Sequence, residues 1–250
     1  MLRLYHLLQK PMRNIWVIFK RELSSYFVSP IAYVVGAAFL VLAGLFFVLP
    51  FFFGQTDASL RNWMSSIVVL LLFIAPMFTM RLIAEEKQSG TIELLLTSPL
   101  RDWELVIGKF LAALGLWLAI LAFTLVYVLI LRIFGDPDLV PLVTGYLALL
   151  LMGAAMLAVG VLASSLSPNQ IVAVVVAFAI LLVLWVASAM TNVFGAGTLL
   201  GSIFDYLAIT KHQDDLMKGV VDSRDLIYYL SIVVGCLFLS TRLLEARRWS

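Results

Sequence analysis

Cysteine is nearly absent. The 250-residue chain has one, Cys236, set inside an apolar run. It cannot form an internal disulfide and has no metal-ligand spacing around it, so disulfide frameworks and zinc sites are excluded. Histidine is almost as scarce: His6 and His212 stand far apart, without a cysteine or carboxylate cluster, and both read as inert. Charge is thin too. Asp, Glu, Lys and Arg make up 13% of the residues, against about 25% in a soluble domain. The net charge of +2 is dispersed, which leaves no phosphate-tracking patch and excludes nucleic acid as a partner. No cleavable signal peptide is expected, because the first long apolar run, from about residue 31, is too long for a signal core.

What fills the chain instead is apolar. Hydrophobic residues reach 63%, where about 45–50% is usual, so a water-soluble globule could not hide its surface. The composition implies an all-α integral membrane protein. About 20 apolar residues at 1.5 Å each cross a hydrocarbon core, and six segments meet that length: residues 31–53, 63–82, 105–134, 139–163, 168–190 and 226–244. With the N-terminus inside, twelve of the seventeen Lys and Arg residues fall on the inner side, which places both termini in the cytoplasm.

None of the spans has an ionisable residue near its centre. Such a residue costs about 2.5–3.5 kcal/mol and usually marks an ion pathway or proton relay, so ion-coupled transport is disfavoured. Intramembrane proteolysis fails on the same inventory: no Ser–His pair and no pair of Asp residues lies at membrane depth. A passive channel lacks pore-lining polar residues.

Punctuation supports the spans. Ser29-Pro30, Ser98-Pro99 and Ser167-Pro168 each place a capping hydroxyl before a proline at the first helical position. Pro50 and Pro76 should kink or break their helices. In the fourth span Gly153, Ala154, Ala158, Gly160 and Ser164 form a small-residue stripe, which fits intrachain packing or a dimer seam.

Two polar stretches stand out. Residues 13–28 predict a basic amphipathic helix, with Trp16, Phe19, Leu23, Tyr26 and Phe27 on one side and Arg13, Lys20, Arg21 and Ser24 on the other. It reads as a topology anchor or as contact for a cytoplasmic partner. Residues 84–110 are too long for a mere connector. Glu85, Glu86 and Lys87 close the second helix, and Gly90 permits a reversal. Thr91 to Thr97 can form a short helix exposing Ile92, Leu95 and Leu96, with Glu93 on its polar side. Such a helix suits another protein's groove or a lipid surface.

These residues carry a resemblance. The order Glu85-Glu86, Gly90-Thr91, Glu93-Leu94-Leu95, Ser98-Pro99 and Gly108-Lys109 resembles the coupling loop of ABC-2 type transporter permeases. Lys20-Arg21-Glu22-Leu23 before Ser29-Pro30-Ile31-Ala32-Tyr33 looks like the same family's leading helix. Gly219-Val220-Val221-Asp222 and Asp225 extend the likeness to the last loop. Within the family, the chain looks most like the gliding-motility and nitrous-oxide-reductase-maturation branch.

The resemblance implies a single permease domain of type V exporter-like architecture in the inner membrane of a prokaryote. The loop at 85–99 would be a coupling helix seated on an ATP-binding subunit, using Glu85, Glu86, Gly90, Thr91, Ile92, Glu93, Leu95, Leu96 and Pro99. The helix bearing Trp16, Phe19, Lys20, Arg21 and Glu22 would pack near that ATPase. Residues 194–221 would form outer gate helices, with Phe204, Tyr206, Asp214, Gly219 and Asp222 as gate residues. The loop at 164–169 is too short for a second docking helix. Two ATP-binding subunits, a second permease copy or similar permease, an extracytoplasmic auxiliary protein and membrane lipid are the implied partners. The chain lacks the Gly-x-x-x-x-Gly-Lys-Ser/Thr phosphate loop, so no cofactor is expected on it; ATP and Mg would belong to the partner. A non-transporting membrane anchor or assembly factor would share the composition but would need no coupling helix.

Overall fold

The computed structural model describes residues 2–53, 60–93, 100–134, 137–195 and 197–248. Helix α1 (Leu2–Val28) begins well before the expected residue 13 and stops where Ser29 precedes Pro30. A proline pushes the residue before it out of helical conformation, so α2 (Pro30–Phe52) starts as a separate rod. Next come α3 (Arg61–Thr79) and α4 (Arg81–Gln88), joined at Met80. The rest are α5 (Asp102–Phe134), α6 (Leu139–Leu166), α7 (Gln170–Phe194), α8 (Leu199–Leu207), α9 (Lys211–Met217) and α10 (Ser223–Arg248). Among the described residues there is no strand.

Six helical stretches there are long and apolar enough to cross a membrane: α2, α3 with α4, α5, α6, α7 and α10. Each of the six expected segments falls on one of them. The protein is a multi-pass membrane protein. Helices α3 and α6 are largely buried in the bundle, while α2, α5, α7 and α10 turn much of their apolar surface outward, as helices facing lipid can.

Small residues let the centre close. A Cβ on Gly153 would come within 2.2 Å of Trp117 Nε1, and one on Gly160 within 2.0 Å of Thr79 Oγ1. Trp117 uses that room to donate to the Leu149 carbonyl at 3.2 Å. The stripe on α6 therefore packs within the chain. Ser164, its last member, repairs the helix break at Met80: its Oγ accepts from the backbone N–H of Ile83 (3.1 Å) and Ala84 (3.0 Å) and donates to the Met80 carbonyl (3.1 Å). The first N–H groups of a helix have no partner inside it, and here another helix supplies one.

One cap differs from expectation. Helix α7 starts at Gln170, not at Pro168, because Asn169 is its cap and accepts from Val172 N–H at 2.9 Å. Ser167 instead closes α6, with its hydroxyl on the Ala163 carbonyl at 2.7 Å. Asparagine reaches the third helical amide as well as serine does, and Ser167 and Asn169 on either side of the proline both take extended backbone.

Candidate coupling and gate sites

Ile18, Glu22 and Tyr26 lie four residues apart on one face of α1. Ile18 and Tyr26 are buried, so Glu22 between them is drawn against α5 as well. Gly108 permits the approach, since a Cβ there would sit 2.7 Å from Ile18 Cγ2. The next residue, Lys109, is 1% exposed and donates to Glu22 Oε1 at 3.1 Å and Glu86 Oε1 at 2.8 Å. Arg21 Nη2 joins both carboxylates, at 2.7 and 3.3 Å. Two cations thus balance two carboxylates across α1, α4 and α5. Burial pushes the Glu22 pKa up, but Lys109 and Arg21 outweigh it and hold the carboxyl below its ordinary value.

Further bonds tie down the same end. Asn14 Nδ2 donates to Glu104 Oε2 at 3.0 Å, and that oxygen also accepts from Arg101 N–H at 3.2 Å. Lys87 Nζ donates to the Ser165 and Ser167 carbonyls, which locks α4 to the end of α6.

The expected coupling residues divide by direction. Glu86, Arg21 and Glu22 are committed to the ion network. Glu85 is half-exposed, 3.8 Å from Arg81 Nε. Gly90 has φ +72°, a conformation that side chains resist, so the chain reverses there as its glycine suggests. Thr91 and Glu93 are exposed, and Ile92 is half-buried against the core. Leu95, Leu96 and Pro99 lie outside the described residues. On α1, Lys20 is exposed, and Trp16 is exposed while stacking on Phe19 at 5.1 Å. Sequence reading had Lys109 only as part of the family phrase Gly108-Lys109, with no role, and missed Glu104 as part of this site. The four-residue spacing of Ile18, Glu22 and Tyr26 is the signal that could have found them, but the apolar side was read through Trp16 and Phe27, which are exposed.

At the other end, α8 turns back along α7. Phe194 and Phe204 stack face to face at 5.4 Å. Past the end of α8, the Ile209 N–H reaches the Leu184 carbonyl at 3.3 Å. Leu184 lies about 15 Å before the end of α7 at the α-helical rise. Backbone leaving a helix inside an apolar bundle must find partners for its polar groups. Two tyrosines of α10 provide them: Tyr228 donates to the Leu207 carbonyl and Tyr229 to that of Ile209, both at 2.9 Å.

His212, read from sequence as inert, has structural partners here. Its Nδ1 lies 2.8 Å from Asp225 Oδ1 and its Nε2 lies 3.2 Å from the Tyr206 carbonyl, with the ring stacked on Tyr228 at 3.8 Å. The turn between α9 and α10 makes this pairing across thirteen residues, which no local motif announces. Among the expected gate residues, Phe204 packs on α7 and Tyr206 is exposed beside His212. Asp214 is exposed. Gly219 has φ +90° and rests against Val140 and Pro141, and Asp222 caps α10 through Arg224 N–H at 2.9 Å.

With this geometry in place, a sequence model described as ABC-2 family transporter protein matches residues 49–243, more than three quarters of the chain. The chain belongs to that family. It is a permease component of an ABC transporter, and the family works with an ABC ATP-binding partner. The ABC-2 match starts near the end of α2, so α1 and its ion-pairing residues lie outside it. No curated protein matches the chain.

Proposed function

We propose that the chain forms the translocation path of an ATP-driven exporter, as a homodimer or with a similar permease, on two copies of an ATP-binding subunit. Both termini face the cytoplasm of a prokaryotic cell, in the inner membrane. The loop at 85–99 docks on the ATPase, and residues 194–221 gate the outer side. The observation that carries this reading is the buried Lys109 network. It joins α4, which leads into the docking loop, to α1 and to the start of α5. A push on the loop is therefore passed to a long membrane helix through packed and charged contacts, rather than absorbed by a slack connector. The path is then a two-state element moved by its partner.

Kinship with the gliding-motility and nitrous-oxide-reductase-maturation branch, and with it an extracytoplasmic auxiliary protein, rests on the phrases at 20–33 and 85–109. Cargo leaves from the cytoplasmic side or the inner leaflet.

The test is a mild-detergent pull-down of the tagged chain from its native membranes, with mass spectrometry of what accompanies it. Glu85→Lys and Glu93→Lys suit this purpose because neither carboxylate is part of the buried network. Both variants should insert normally and lose the ATPase. Full ATPase recovery with both would remove the docking assignment and favour a membrane anchor or assembly factor.

A further inference from the structure

A recess of about 460 Å³ opens where α1 meets α2, lined by Arg21, Ser24, Ser25, Val28, Ser29 and Arg81. No carboxylate lines it. Arg81 Nη1 donates to Ser29 Oγ at 2.7 Å and Nη2 donates to Ser25 Oγ at 2.8 Å. A hydroxyl has one hydrogen to give and lone pairs to accept with, and a guanidinium only gives. With Arg81 on their acceptor side, both serines keep an O–H to donate. Ser65 and Ser66 return theirs to the carbonyl one turn back; among the described residues, Ser24, Ser25 and Ser29 donate to nothing. Arg81 is fixed from other sides by the Tyr26 ring, 5.3 Å below it, and by Glu85. Each of its Nη atoms still has a second hydrogen to offer. Arg21 holds Glu22 and Glu86 through Nη2 alone and keeps its other N–H groups, so the wall is a set of donors around two guanidinium groups, which fits an anion rich in acceptor oxygens, such as a phosphate.

The surroundings decide where that phosphate comes from. Val69, Phe73 and Met77 are exposed at four-residue spacing on α3, and Arg81 falls next in the same series. The arginine therefore ends an exposed apolar stripe, and Val28, which lines the recess, and Ile31 are exposed as well. A free phosphate would gain nothing from this stripe, whereas acyl chains would cover it. We propose that the recess binds the phosphate head group of an anionic membrane phospholipid, with its chains along the exposed stripe of α3. This site stands whether or not the loop at 85–99 docks an ATPase.

The test uses the full chain in a non-ionic detergent. Its thermal midpoint is followed against dioctanoyl phosphatidylglycerol, dioctanoyl phosphatidylcholine and inorganic phosphate. Phosphatidylglycerol should raise the midpoint saturably, and the other two should not at the same concentration. Ser25→Ala with Ser29→Ala keeps both arginines and should demand about tenfold more phosphatidylglycerol for half the shift. Ser24→Ala removes a hydroxyl that supports no fold contact and should demand about threefold more. An equal response to inorganic phosphate would assign the recess to a free anion. An equal response to phosphatidylcholine would remove the selectivity for anionic lipid. An unchanged response in the serine variants would put the lipid elsewhere. Any of these overturns the proposal.

Discussion

A lysine 1% exposed persists at position 109 because two carboxylates and the Gly108 crossing meet it there. Taking away one member of a buried ion cluster leaves the others unpaired, at a cost of about 3–5 kcal/mol. Lys109→Met should lower the thermal midpoint of the purified chain by an amount of that order, and adding Glu22→Gln should restore part of it. A single variant that melts like the parent would mean that the network does not hold α1 to α5. Acid should act on the same contact. The Glu22 carboxyl sits below its ordinary value, so its contribution is complete above the unfolded-state value of about 4.3 and is lost as pH falls through the folded one. The midpoint should drop on acidification below about pH 4, and Glu22→Gln should shrink that drop. Glu86 shows where sequence reading stopped short. Its neighbour Glu85 does face outward, and the two are indistinguishable in a row of acids. Only the three-helix crossing tells which one turns inward.

Among elements, the spans were legible because six long apolar runs admit little else, and the glycine reversal at residue 90 was legible from its residue type. The joints between elements were not. Ser167-Pro168 has the composition of a helix start, yet Asn169 caps α7, since a cap is decided by which side chain reaches the first turn. The turn between α8 and α9 is held by Tyr228 and Tyr229 of a later helix, and a linear pattern does not connect them. The small-residue stripe had two readings in sequence, and close approach to Trp117 and Thr79 decides between them. That decision is testable. Gly153→Ala must displace the Trp117 ring and should cost about 1–3 kcal/mol, as overpacking does. Gly235→Ala meets no atom within 4 Å and should be neutral or slightly stabilising in the same melting experiment. If the two variants melted alike, the α5–α6 crossing would not depend on that glycine.

For the molecule as a whole, the two polar ends differ in kind. The network of Arg21, Glu22, Glu86 and Lys109 gathers at one end and the His212–Asp225 hairpin at the other. In the proposed arrangement an even number of crossings puts both chain ends on the cytoplasmic side, a reading that the Lys and Arg distribution supports. The only cysteine, Cys236, can be replaced by serine to give a background for single labels. Glu93 and Asp214 are both exposed and stand at opposite ends of the bundle, so a cysteine at either position is reachable by a reagent on its own side. In spheroplasts treated with a membrane-impermeant maleimide, Asp214→Cys should label and Glu93→Cys should not. Permeabilised cells should label both. The reverse pattern would turn the protein over in the membrane and put the loop at 85–99 beyond the reach of any cytoplasmic ATPase. With it would go the claim that the buried lysine network passes on the partner's stroke.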